Sequence, residues 1–128
     1  MNPFAKCVLL LAGLGFLGYG IAFELAPQQT MASGGLQMVG PGAAVELRAF
    51  YGGLETGLGL WLCIAAFRPG LVRSALWLTA LTNGGSALSR ALALLLGGEW
   101  NPFFAYALPW ELGFASLALI ALWITRTR

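Results

Sequence analysis

The chain has 128 residues, 59% of them hydrophobic and 9% charged, whereas a water-soluble domain usually carries about 25% charged residues. That excludes a water-exposed globule and points to one small all-α membrane domain filling residues 1–128, with no length left for a second. A net charge of +2 without basic clusters excludes nucleic acid as a partner, and the absence of histidine and aspartate excludes histidine-ligated haem, the usual zinc sites and Ser-His-Asp catalysis.

A spanning helix needs about 20 apolar residues, and four such segments follow one another, at about 4–25, 45–67, 72–96 and 104–125. The expectation is an integral membrane four-helix bundle. In the first segment, Lys6, an apolar middle and the small pair Gly20 and Ala22 also fit a loose signal-peptide pattern. The run is long enough to span, so a retained helix is the expectation, with cleavage as the alternative. Gly13, Gly15 and Gly18 match a dinucleotide fingerprint formally, but no strand precedes them, and they read as packing glycines. Glu24 shares a face with Gly13 and Gly20. An uncharged loop, 26–44, leads to the second segment.

That second segment carries ionisable groups into apolar surroundings. In a continuous α-helix Arg48, Tyr51, Gly52, Glu55 and Gly59 share one stripe, while Gly53 and Gly57 form a Gly-x-x-x-Gly pair on nearly the opposite side. The first stripe is expected to be functional and the second to pack closely against another helix or subunit. After the Arg68-Pro69-Gly70 turn, Thr79, Asn83, Ser86, Ala87 and Arg90 align on the third segment. On the fourth, beyond the 97–103 link, Glu111 shares a face with Ala107, Ala115 and Ala118. Pro27, Pro41, Pro69 and Pro102 sit at segment boundaries, where a helix can stop without losing internal hydrogen bonds, and Pro109 falls in the first turns of the fourth segment.

Basic residues fix the orientation. Lys6, Arg68, Arg73, Arg126 and Arg128 fall on one side, and the 26–44 and 97–103 loops carry no Lys or Arg. The positive-inside rule then places both termini in the cytoplasm, with Trp100 and Trp110 at the outer interface and Trp77 and Trp123 at the inner one. Cys7 and Cys63, both toward the cytoplasmic side, read as small buried thiols rather than a disulfide.

With a rise of about 1.5 Å per residue, Glu55 and Asn83 fall near the mid-plane, Arg90 and Glu111 further out, and Arg48 and Glu24 near the outer interface. Arg48 and Glu55 lie about 10 Å apart along one helix, so cross-helix pairs are expected instead. Arg90 would pair with Glu55 or Glu111, and Arg48 with Glu111 or Glu24, in a charge-balanced cluster opening outward. Intramembrane ionisable groups cost a few kcal/mol each and are a functional hypothesis by default. The bland alternative is a salt-bridge network that only fixes helix register.

The run Arg48-Ala49-Phe50-Tyr51-Gly52-Gly53-Leu54-Glu55-Thr56-Gly57-Leu58-Gly59 resembles a signature of small bacterial four-helix membrane proteins of unknown function, similar to DoxX-like proteins. Gly84 to Arg90 and Glu111 stand where that pattern places them. The resemblance implies a fold and a bacterial inner-membrane location, multi-pass. By fold-level analogy with quinone-linked members of the DoxX-like group, it also implies a quinone-like partner.

Two functions compete on these residues. In one, Arg48, Tyr51, Glu55, Asn83, Arg90 and Glu111 bind or transport a small amphipathic molecule. The arginines would hold an anionic or carbonyl-bearing head group, and Glu55 offers proton coupling. In the other, the chain is an accessory or assembly subunit, with a structural Arg/Glu cluster and Gly53 and Gly57 meeting a homo-oligomeric or complex partner. An intramembrane enzyme ranks third, because no nucleophile with an adjacent base is visible and no catalytic residue can be named. No metal or cofactor is expected.

Overall fold

A computed structural model describes residues 1–126; Arg128, counted above among the cytoplasmic charges, lies outside the described residues. Among those residues the chain is all-helical, without strands. Helix α1 (Pro3–Leu25) starts where the Asn2 side chain accepts from the backbone N–H groups of Phe4 and Ala5, with Pro3 in the first turn. Its last carbonyls are reached from the following turn, where the Ala26 N–H donates to the Ala22 oxygen. The expected 26–44 loop is not wholly a loop. Pro27 opens a short helix, α2 (Pro27–Ser33), and the Thr30 hydroxyl donates back to the carbonyls of Ala22 and Ala26.

The second long run departs from plain α geometry. It begins as α3 (Ala43–Glu46), winds through a π-helical segment (Leu47–Leu54) and continues as α4 (Glu55–Ala65). Hydrogen bonds in the middle stretch reach i→i+5, so each turn takes in more residues. Gly52 and Gly53 lie there, where α propensity is low, and side-chain anchors to α1 hold the wider turns. Helix α5 (Pro69–Leu95) has Pro69 in its first turn. It ends in a Schellman motif, with Gly97 at φ +98° and the Gly98 N–H donating to the Ala93 oxygen at 2.9 Å. Helix α6 (Phe104–Arg126) follows a turn in which the Asn101 side chain accepts from the Phe103 N–H, and it carries Pro109 inside.

Helix α1 packs along the π segment and α4, α5 packs along α6, and α1 also touches α5 and α6. Lys6 near the start of α1 lies 4.1 Å from the ring centre of Phe67, just past the end of α4, so these two runs are antiparallel. Small residues decide how close they come. A Cβ on Gly59 would stand 2.6 Å from the Gly13 oxygen, and one on Gly13 would stand 2.7 Å from Cys63 Sγ. One on Gly20 would meet Thr56, and one on Gly52 the Glu24 carboxylate. The pair named in sequence, Gly53 and Gly57, takes no part in this contact. Gly57 faces open space and Gly53 has only ordinary van der Waals neighbours.

Size is sorted in reverse. More than half of the central buried cluster is alanine, including Ala5, Ala12, Ala65, Ala75, Ala118 and Ala121. Large apolar side chains such as Leu14, Ile64, Leu81, Leu88, Leu95 and Trp123 point outward. Helices α1 and α6 are each long and apolar enough to cross a membrane. Neither cysteine forms a disulfide, and Cys7 is exposed rather than buried, since it sits on the outward face of α1.

Candidate functional site

The six side chains singled out in sequence are not gathered as one ring. Arg90 on α5 and Glu111 on α6 form the only ion pair among the described residues. It is bidentate, with Arg90 Nη2 donating to Oε1 at 2.7 Å and Nε donating to Oε2 at 3.2 Å. Late α5 and early α6 are antiparallel neighbours, which brings residues 21 positions apart face to face. The guanidinium carbon also lies 5.1 Å from the ring centre of Phe104 and 6.0 Å from that of Phe103. A planar cation held by a fork of two hydrogen bonds and capped by rings has little left to offer elsewhere.

Arg48 goes to α1. Its Nε donates to the Glu24 backbone oxygen at 3.0 Å, near the C-terminus of α1, where orphan carbonyls favour a cation. Of the partners expected from sequence, Glu24 is engaged through its main chain, and Glu111 is taken by Arg90. The Tyr51 ring stacks on Phe23 of α1, with centres 4.9 Å apart, and Phe23 touches Tyr19 at 5.4 Å. The wide turn thus keeps Arg48 and Tyr51 against α1.

Asn83 is almost fully buried, at 4% exposure, and its Nδ2 donates to the Thr79 oxygen one turn back. Its Oδ1 accepts no hydrogen bond among the described residues. Glu55, half-buried at the start of α4, makes no hydrogen bond or ion pair among them either. Tyr19, which the sequence reading did not single out, belongs to the same region. Its ring touches Phe23, and the neighbouring Gly20 packs against Thr56, so Tyr19 stands beside the stretch that carries Tyr51 and Glu55. Its signal was the i, i+4 aromatic pair with Phe23, on an apolar helix and at a depth matching Tyr51.

The π segment makes no extended contact with α5 or α6, although it packs on α1 to α4. Tyr51 thus sits on the π segment and Glu55 opens α4, which does pack on α5, whereas Arg90 and Glu111 pair across α5 and α6. At the end expected to face outward, the 26–44 and 97–103 links meet. Gly34 lies against the Phe103 ring, and Asn101 Nδ2 donates to the Gly35 oxygen at 3.5 Å. Two shallow surface grooves lie elsewhere, one at the turn lined by Ile64 and Arg68 to Leu71, the other along α6 from Ala105 to Leu117. None of the six candidates lines either.

A family model, described as a domain of unknown function (DUF4345), matches residues 4–122, from the first turn of α1 almost to the end of α6. The chain belongs to the DUF4345 family. No curated protein and no solved structure matches the chain. The DUF4345 match takes in every candidate residue, from Arg48 to Glu111.

Proposed function

We propose that this DUF4345 chain is a multi-pass protein of the bacterial inner membrane, a single transmembrane domain over 1–128. In this reading α1, the run from α3 through α4, α5 and α6 form a four-helix bundle with both termini cytoplasmic. The polar cluster of Arg48, Tyr51, Glu55, Asn83, Arg90 and Glu111 binds or moves a small amphipathic molecule. The inverted sorting of side chains supports the membrane setting: alanines inside allow close helix approach, and the large apolar side chains outside would be a liability in water. Lys6, Arg68, Arg73 and Arg126 at one end of the helices support the orientation.

One observation carries the binding reading. The π segment that carries Tyr51 packs on α1 and has no extended packing on α5 or α6, where the Arg90–Glu111 pair lies. A network that served only to lock helices would draw its carboxylates into contacts, whereas Glu55 and Asn83 Oδ1 keep unused hydrogen-bonding capacity. π-helical stretches are also frequent at functional sites. The test is gentle purification followed by mass spectrometry of co-purifying small molecules, repeated with Glu55→Gln and Arg90→Gln. An enriched molecule lost in folded variants is the expected result. No enriched molecule, with variants that only lose stability, would leave the cluster a structural role.

A second reading has its own support. Gly57 faces open space beside exposed Leu54 and Leu60, a surface that a partner helix could approach closely. An accessory or assembly subunit would use that face, and replacing Gly53 and Gly57 with leucine would then disrupt the complex while Glu55→Gln is tolerated. A DoxX-like kinship and a quinone-like ligand are the remoter form of the binding proposal.

A further inference from the structure

The end of the bundle away from the polar cluster carries charge of one sign. The five acidic residues, Glu24, Glu46, Glu55, Glu99 and Glu111, stand at the opposite ends of the helices, in the links there, or part-way along a helix. Lys6, Arg68, Arg73 and Arg126 stand at the near end, and no acid lies in the first turn of α5. Lys6 is held over the Phe67 ring, with Nζ 4.1 Å from its centre. Arg68 and Arg73 are exposed and make no hydrogen bond or ion pair among the described residues. Both guanidinium groups are free for an outside anion.

At the turn from α4 to α5 these charges border a shallow groove of about 390 Å³, lined by Ile64, Arg68, Pro69, Gly70 and Leu71. Arg68 is its one charged wall. Ile64 and Leu71 are 55% and 38% exposed, so the apolar walls open sideways rather than into the bundle. Leu60, one turn before Ile64 and also exposed, prolongs that wall along α4 toward the middle of the helix. Arg73 lies one turn beyond Pro69 and Gly70 on the same stripe of α5, and exposed Trp77 follows one turn later. Cations therefore stand at one edge of the groove and aliphatic side chains lead away from the other.

We infer that this groove seats an anionic phospholipid, its phosphate against Arg68 and Arg73 and an acyl chain along Leu71, Ile64 and Leu60. The inference rests on the membrane reading above and is independent of what the polar cluster binds. A guanidinium meets a phosphate with a fork of two N–H donors, and basic pockets at the cytoplasmic ends of membrane helices suit such head groups. A zwitterionic lipid would bring its own ammonium beside Arg68, Arg73 and Lys6, and the like charges would repel. The cations select the head group, and the exposed aliphatic wall takes the tail.

Dioleoyl phosphatidylglycerol and dioleoyl phosphatidylcholine share their tails and differ in net charge, and they make the test. Native mass spectrometry of the protein in non-ionic detergent counts adducts of each over a concentration series. Phosphatidylglycerol is expected to bind in preference. Its affinity should fall about ten-fold in Arg68→Gln, the loss of a charge-assisted phosphate contact, and about five-fold in Arg73→Gln. Arg126→Gln removes the same charge from the same end without lining the groove, and it should leave binding unchanged. Gly70→Leu keeps every charge and fills the groove, at a position where an added Cβ meets nothing within 4 Å, and it should weaken binding several-fold. Unfolding midpoints confirm that the variants are folded. Equal affinity for the two lipids, equal losses in Arg68→Gln and Arg126→Gln, or full binding in Gly70→Leu each overturn the inference. So does displacement of the lipid by glycerol 3-phosphate alone, which would leave a phosphate site with no use for the apolar wall. If alkaline carbonate strips the chain from membranes, the membrane reading falls and the inference with it. An integral chain without a phosphatidylglycerol preference loses the inference alone.

Discussion

Gly59 and Gly57 lie on the same helix two residues apart, and alanine at each should move stability in opposite directions. At Gly59 the added Cβ would stand 2.6 Å from the Gly13 oxygen and 2.7 Å from the Leu17 nitrogen, both main-chain atoms of α1. Ordinary contact begins near 3.4 Å, so α1 and α4 must separate by several tenths of an ångström, and backbone cannot swing aside as a side chain would. Overpacking of this kind costs about 1–3 kcal/mol. At Gly57 nothing lies within 4 Å, and replacing a mid-helix glycine with alanine gains about 0.5–1 kcal/mol. That gain applies at both positions, so the two variants should differ by the overpacking cost, about 1–3 kcal/mol. Unfolding by SDS in mixed micelles, followed by tryptophan fluorescence, reads the difference directly. A Gly59→Ala protein as stable as wild type would refute the close approach of α1 and α4. A monomeric Gly57→Ala protein less stable than wild type would refute the open face.

The Arg90–Glu111 pair lends itself to a double-mutant cycle. With side chains 25% and 12% exposed, each of Arg90→Gln and Glu111→Gln should cost about 2–3 kcal/mol, somewhat below the loss for a fully buried pair. The double variant should cost less than their sum by about 1–2 kcal/mol; strict additivity would mean the pair is not formed. Orientation is checked in a Cys7→Ala, Cys63→Ala background carrying Ser33→Cys or Arg126→Cys. An impermeant maleimide should label position 33 in intact spheroplasts and position 126 only after permeabilisation. The opposite pattern would reverse the proposed topology.

Helix ends were largely legible in sequence, because prolines and loop composition mark them locally. Pro3, Pro27 and Pro69 each stand in a first helical turn, where a missing N–H costs nothing. The Arg90–Glu111 pair was among the alternatives that spacing allowed, since antiparallel neighbours joined by a short link bring such positions together. What could not be read depended on hydrogen-bond geometry. No side-chain pattern announces that Leu47–Leu54 winds as a π-helix; Arg48, Tyr51, Gly52 and Gly59 of the expected stripe all meet α1 even so, and no side-chain pairing of Glu55 with them forms. The glycines show what spacing alone misleads on. Sequence singles out the four-residue spacing of Gly53 and Gly57, while the contact with α1 uses the seven-residue spacings of Gly13 with Gly20 and of Gly52 with Gly59. Tyr19 was hidden for another reason. An aromatic residue on an apolar helix looks like a lipid contact until tertiary packing joins its ring, through Phe23, to that of Tyr51.

The wide turns of Leu47–Leu54 also act as a sorter of charge. On an unbroken α-helix, positions seven apart lie on one side, and Arg48 and Glu55 would stand over the same neighbour, each muting the other's field. By taking more residues into each turn, the chain turns the two positions apart, and the cation meets the carbonyl end of α1. One short stretch of altered winding thus turns a balanced dipole along a helix into two separated poles.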